Sequence, residues 1–115
     1  MKKEISTFEE FWPYYVREHT NPLNRRLHFV GTTFAIGHLL KFMTSFHPSY
    51  LLKAAISGYF FAWMGHLFIE KNKPATFSYP LFSLMGDFKM YGLMWMDEMD
   101  VIVEEFGVTE EKIEA

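Results

Sequence analysis

The fold is decided by two apolar runs, LHFVGTTFAIGHLLKFMTSF at residues 27 to 46 and SYLLKAAISGYFFAWMGHLFIE at residues 49 to 70. Lys41 and Lys53 are their only formal charges before the closing glutamate. Each run is long enough to cross about 30 Å of hydrocarbon as a helix. His47-Pro48 forms a tight break between them. The two runs therefore predict an all-α fold built on an antiparallel transmembrane hairpin.

Composition points to a single lipid-associated domain. The 115 residues suit one domain, so residues 1 to 115 are predicted to form one helical membrane domain. Half of the residues are apolar and 19% are aromatic, a heavy apolar load for a small protein. A net charge of -3 without a basic, aromatic-rich patch argues against a nucleic-acid partner. The absence of cysteine excludes disulfides, iron-sulfur clusters and thiolate zinc sites. A mean hydropathy of -0.02 keeps a compact helical bundle as the alternative.

An amphipathic helix is predicted at residues 8 to 18, before the hairpin. Its apolar residues recur at helical spacing, and Asn21-Pro22 ends the segment. The helix could lie in a membrane interface or face a protein core. The residues that form its apolar face are Phe8, Phe11, Trp12, Tyr15 and Val16.

A third apolar segment at residues 80 to 96 is interrupted by Gly86-Asp87 and Lys89. It could be a kinked span, a re-entrant segment or a helix packed on the hairpin. Asp87 is predicted to cap the second half of a broken helix. The acidic residues 97 to 115 are predicted to form a solvated tail with a weak amphipathic pattern.

Basic residues flank both ends of the hairpin. Arg25 and Arg26 stand at its start, and Lys71 and Lys73 follow its end. Lysine and arginine near short membrane segments stay in the cytoplasm, so both ends of the hairpin are predicted to face the cytoplasm. The two arginines could anchor the interface, or one could bind a substrate carboxylate through two hydrogen bonds. They are the candidate substrate-binding residues.

Counting outward from the break places His28 and His66 at the same depth, because the two distances differ by one residue, roughly 1.5 Å of helix. Glu70 follows His66 by four positions, and Asn24 precedes His28 by four. Residues four apart share a helix face. Glu70 and Asn24 are therefore the candidate catalytic residues beside the two histidines.

His19 precedes the Asn21-Pro22 turn, which can fold it back onto the mouth of the hairpin. Imidazole ligands that leave open coordination positions are typical of non-haem iron oxygenases, and zinc and copper are chemical alternatives. We predict His19, His28 and His66 as metal ligands, with Glu70 as a fourth ligand or as an acceptor that orients an imidazole. The alternative is an ordinary helix-surface contact between His66 and Glu70. His38 is predicted to hydrogen-bond to Ser57 across the hairpin, and His47 to be solvated.

Two spaced motifs, HTNPLNRRLHFVG at residues 19 to 31 and GHLFIEKNKPA at residues 65 to 75, resemble a known family. The family comprises the 2-hydroxy-fatty-acid dioxygenases of fungal phytosphingosine degradation and their bacterial relatives, and the similarity covers most of residues 8 to 82. The resemblance implies an integral membrane enzyme of fatty-acid α-oxidation, located in the inner membrane of a bacterium or in the endoplasmic reticulum of a fungus. Such an enzyme uses iron(II) and molecular oxygen to shorten a 2-hydroxy fatty acid by one carbon. The presumed iron ligands of the family fall on the same three histidines.

Two other functions compete with the oxygenase. A non-enzymatic membrane scaffold or lipid-binding protein would use its histidines only for hydrogen bonds between helices. A metal-dependent lipid hydrolase would use Glu70 as general base to a metal-bound water. Oxygen dependence separates the oxygenase from the hydrolase, whereas stoichiometric metal separates both from the scaffold.

Overall fold

The computed structural model describes residues 4 to 108, and every regular element within them is helical. The all-α prediction is therefore confirmed. Contacts divide the chain into two compact units. The hairpin unit comprises residues 21 to 74, and the terminal unit comprises residues 1 to 20 together with residues 75 to 115.

The hairpin unit consists of two helices and the turns at their ends. Its helices are α2 (Pro22–Ser45) and α3 (Ser49–Met64), and α3 continues as a π-helical turn (Gly65–Glu70). The Asn21 side chain caps α2 by accepting the Leu23 N–H at 2.8 Å. The helix ends at Phe46, which is left-handed at φ 59°. The predicted break at residues 47 and 48 is confirmed.

Gly31 lets the two arms of the hairpin approach closely. A Cβ atom at this position would lie 2.9 Å from Cβ of Phe61 and 3.2 Å from the carbonyl oxygens of Ser57 and Gly58. Any larger residue would push the helices apart. The crossing comes one turn after His28 and so fixes the spacing of the arms beside it.

Within the described residues, no helix combines the length and the apolar character that a membrane crossing requires. The helical hairpin predicted from residues 27 to 46 and 49 to 70 is confirmed, and its predicted insertion into a membrane stays a prediction. Helix α3 is apolar, but it has only 16 residues before it widens into the π-helical turn. Helix α2 has 24 residues. Its N-terminal half carries six polar residues, namely Asn24, Arg25, Arg26, His28, Thr32 and Thr33.

The terminal unit is built around helix α1 (Phe8–Arg17), whose aromatic face is buried. Thr7 caps this helix by accepting the Glu10 N–H at 3.2 Å. The buried face packs on side chains from later in the chain, including Met90 and Met99. The membrane-interface alternative for this face is therefore wrong, because protein side chains cover it, and the core-facing alternative is confirmed.

Helix α4 (Pro80–Trp95) is continuous through Gly86-Asp87. Asp87 lies inside the helix, so the prediction that it caps a broken segment is wrong. The acidic tail begins with α5 (Met99–Val103), which continues as a π-helical turn (Glu104–Val108). Met99 is buried in the core of the terminal unit, so this part of the tail is packed rather than solvated. Residues 109 to 115 of the predicted tail lie outside the described residues.

Candidate metal centre

Three of the five histidines are buried, and they are candidate ligands for a metal ion: His19, His28 and His66, with exposed fractions of 1%, 4% and 2%. His47 is exposed, as predicted. His38 stacks on Tyr50, with ring centroids 6.2 Å apart. The predicted bond from His38 to Ser57 is not formed, because the Ser57 hydroxyl donates to the Lys53 carbonyl oxygen of its own helix at 2.8 Å.

The hairpin unit brings two of these histidines into direct contact. His28 lies on α2 and His66 in the π-helical turn, with ring centroids 4.9 Å apart and ring planes at 87°. Burial, with a smaller contribution from the charge of His66, lowers the pKa of His28 to about 3. Burial also lowers the pKa of His66. Both imidazoles are therefore neutral near pH 7, the form that binds a metal.

The backbone fixes the tautomer of two histidines in the same way. Nδ1 of His19 lies 2.6 Å from the carbonyl oxygen of Tyr15. Nδ1 of His28 lies 3.0 Å from the carbonyl oxygen of Asn24. A carbonyl oxygen can only accept, so each Nδ1 carries a proton, and in the neutral form of each ring the lone pair sits on Nε2. A hydrogen bond at the second ring nitrogen is a common feature of metal-binding histidines.

Asn72 performs this task for His66, and the sequence reasoning missed it. Its side-chain oxygen accepts from Nδ1 of His66 at 2.6 Å, while its backbone N–H donates to the His66 carbonyl oxygen at 2.9 Å. Residues six apart do not share a face of a regular α-helix. Here the π-helical turn and the left-handed Lys71, at φ 62°, return the chain to His66. The only sequence signal is an asparagine just after the helix end.

Gly65 and Asn24 pack tightly at the base of the hairpin, the end where α2 begins and the second arm ends. A Cβ atom at Gly65 would lie 1.9 Å from Oδ1 of Asn24, so only glycine fits beside this fully buried side chain. The Glu70 carboxylate accepts the Asn21 N–H at 2.5 Å and the Asn24 side-chain amide at 3.4 Å. These contacts join the start of α2 to the end of the second arm, which aligns His28 with His66.

Residues 5 to 99 match the protein family described as 2-hydroxy-palmitic acid dioxygenase Mpo1-like. The chain belongs to this family. The matched region contains all three buried histidines and both motifs, which confirms the resemblance of the sequence to 2-hydroxy-fatty-acid dioxygenases. No curated protein and no solved structure gives a significant match to the chain.

In this member of the Mpo1-like family, the candidate residues other than the histidines differ in their contacts and in their burial. Glu70 and Asn24 hold the hairpin base together, and their predicted catalytic role stays a prediction. Arg25 is buried, with 4% exposure, whereas Arg26 is exposed. A buried group of histidines that can hold a metal is consistent with the dioxygenase activity given in the family name.

Proposed function

We propose that the chain is a non-haem iron(II) dioxygenase that converts a 2-hydroxy fatty acid to the fatty acid one carbon shorter. The observation that carries this proposal is the pair of buried, neutral imidazoles of His28 and His66, each with Nδ1 bonded to an oxygen acceptor. The pair occurs in a chain of the Mpo1-like family, whose name specifies a 2-hydroxy acid dioxygenase. Such a reaction consumes one dioxygen per substrate and releases carbon dioxide and water.

His19 is the third proposed ligand. Only Thr20 separates it from Asn21, whose N–H is bonded to Glu70. Consecutive Cα atoms are about 3.8 Å apart, so covalent geometry keeps the Cα of His19 within about 7.6 Å of that of Asn21. The donor set of three imidazole nitrogens suits iron(II), which would supply open positions for the hydroxy acid and for dioxygen. Burial of the three imidazoles keeps bulk water away from the ligand atoms.

The substrate carboxylate is assigned to the arginines that follow Asn24. A guanidinium binds a carboxylate through two parallel hydrogen bonds. Arg25 is buried and Arg26 exposed, which favours Arg25 as the residue that would bind the carboxylate away from bulk water. Replacement of Arg25 by Lys should raise KM for the hydroxy acid more than the same replacement of Arg26. Equal effects of the two replacements would assign the carboxylate to neither.

Metal analysis tests the proposal directly. The purified protein is loaded with iron(II) under anaerobic conditions, and bound iron per chain is measured for the wild type, His28→Ala and His66→Ala, with exposed His47→Ala as the matched control. We expect one iron in the wild type and in the control, and loss of iron in the other two variants. Oxygen uptake on addition of 2-hydroxypalmitate should follow the bound iron.

The same measurements separate the two rival functions. A wild type that binds no metal would favour the scaffold or lipid-binding protein. Metal binding together with lipid turnover that is equally fast without oxygen would favour the hydrolase, with Glu70 as its base. Either result would overturn the dioxygenase.

We also propose that the hairpin lies against lipid, which would bring the site to an amphipathic acid. Both arms expose large apolar side chains, and exposed apolar surface of this extent marks an interaction site. Flotation with phospholipid vesicles tests this, with Phe46→Glu and Leu52→Glu expected to reduce vesicle binding. Vesicle binding that survives both replacements would contradict it. The exposed residues include Phe34, Leu40, Met43, Phe46, Leu52, Ile56 and Phe60.

A further inference from the structure

The terminal unit contains a polar pair, the buried Tyr15 and the half-buried Asp87, that the proposed chemistry does not use. The Tyr15 hydroxyl donates to Oδ1 of Asp87 at 2.5 Å. Tyr15 is fully buried, and apolar side chains such as Phe11 and Met90 surround it. A carboxylate that is partly withdrawn from water is costly unless it is hydrogen-bonded, whereas two apolar residues of similar size would fill the same space without that cost. The pair therefore calls for a role other than packing.

Tyr15 holds His19 by two contacts. The two rings are stacked, with centroids 3.9 Å apart and an interplanar angle of 18°. The backbone carbonyl oxygen of Tyr15 accepts from Nδ1 of His19 at 2.6 Å. The ring of Tyr15 thus sets the plane of the imidazole, and its carbonyl group sets which nitrogen keeps the lone pair.

Two consecutive residues of helix α4, Gly86 and Asp87, contact Tyr15. A Cβ atom at Gly86 would lie 2.8 Å from the Tyr15 ring, so the ring fits here because glycine has no side chain. The next residue, Asp87, supplies the acceptor for its hydroxyl. The Trp12 ring also stacks on the Tyr15 ring, with centroids 5.5 Å apart and planes at 12°. The Gly86-Asp87 pair that interrupts the third apolar segment therefore fixes one tyrosine in one orientation.

We propose that Asp87 is a positioning residue of the metal site, which acts by holding Tyr15 so that the imidazole of His19 presents Nε2 in a fixed direction. The inference rests on the proposed function, in which His19 is a metal ligand. Asp87 touches neither metal nor substrate in this role. Its contribution is to reduce the freedom of the ligand, as residues behind metal-binding imidazoles commonly do.

Cobalt(II) binding to the full chain tests this role, because both affinity and the visible absorption spectrum report ligand geometry without any turnover. Tyr15→Phe removes the hydroxyl and keeps the ring, and Asp87→Leu removes the acceptor. Asp87→Asn retains an acceptor oxygen and serves as the rescue variant. Tyr79→Phe is the matched control, since the Tyr79 hydroxyl accepts the Ile5 N–H at 3.3 Å in the same unit.

We expect cobalt affinity to fall about tenfold or more in Tyr15→Phe and Asp87→Leu, with an altered spectrum. Asp87→Asn and Tyr79→Phe should keep the affinity and spectrum of the wild type. Wild-type binding by Tyr15→Phe would overturn the inference and leave the proposed function intact, and this isosteric variant decides the matter even if Asp87→Leu does not fold. A wild type that binds neither cobalt nor iron would overturn the proposed function and the inference together.

Discussion

At the scale of single residues, the oxygen atoms that accept hydrogen bonds from the imidazoles determine how the imidazoles are oriented. Asn72 is the clearest example, because its side-chain oxygen holds Nδ1 of His66 at 2.6 Å. Replacement of Asn72 by Leu should weaken metal binding about 10- to 100-fold, since His66 would lose its fixed tautomer and orientation. Asn72→Asp retains an acceptor oxygen and should bind metal far better than Asn72→Leu. Isothermal titration calorimetry measures the metal affinity of the two variants, and equal affinities of Asn72→Leu and Asn72→Asp would contradict the role assigned to Asn72.

Asp87 gives the metal-free protein a distinctive pH dependence. Burial raises the pKa of Asp87 to about 7 from an ordinary value of 3.8, although the bond from Tyr15 acts in the opposite direction. Between these values the folded chain keeps a proton that the unfolded chain has lost. Stability from this carboxyl is therefore fully present near pH 4 and is lost as the pH rises through 7.

Asp87→Asn carries no such proton. Its free energy of unfolding relative to the wild type should therefore rise by up to about 4 kcal/mol between pH 4 and pH 8. Urea unfolding of both metal-free proteins at the two pH values measures the difference. A difference that does not change with pH would show that Asp87 titrates normally in the folded chain.

At the scale of elements, close contact between the helices of the hairpin depends on glycine at one position and not at another. A side chain at Gly31 would meet Phe61 and two backbone carbonyl groups, whereas a side chain at Gly37 would meet nothing within 4 Å. Gly31→Ala should destabilise the protein by about 1 to 3 kcal/mol, because the arms must separate. Gly37→Ala should stabilise it by roughly 0.5 to 1 kcal/mol through helix propensity alone.

Denaturant unfolding of the two variants tests this contrast within one helix. Gly31→Ala should also weaken metal binding, because separation of the arms moves His28 away from His66. A destabilising Gly37→Ala, or a Gly31→Ala as stable as the wild type, would show that the crossing is not set by this contact.

At the scale of the whole molecule, metal binding should be a major source of stability. A ligand that binds only the folded chain stabilises it by about 2.7 kcal/mol when present at 100 times its dissociation constant. The Tm should therefore rise with cobalt(II) concentration in the wild type and in His47→Ala. In His66→Ala it should stay constant. Scanning calorimetry over a series of metal concentrations measures this, and a wild-type Tm that ignores the metal would argue against a specific site.

Hydropathy predicted both sets of helices, but for α1 it did not show what surrounds the apolar face. The apolar runs form the predicted helical hairpin, and none of the described helices is both long and apolar enough for a membrane crossing. The aromatic face of α1 has the pattern of an interfacial helix and is instead buried by protein. Hydropathy records that a side chain avoids water, and it does not record whether lipid or protein replaces the water.

The sequence by itself determined the helical hairpin, the breaks at Asn21-Pro22 and His47-Pro48, and the matching depth of His28 and His66. These features follow from local backbone preferences and from the fixed rise of a helix, so counting along the chain is sufficient. Only the tertiary structure decided that Asn72 orients His66 and that Asp87 holds Tyr15. Both contacts depend on folding that spacing does not encode, a π-helical turn in one case and the meeting of residues 72 positions apart in the other.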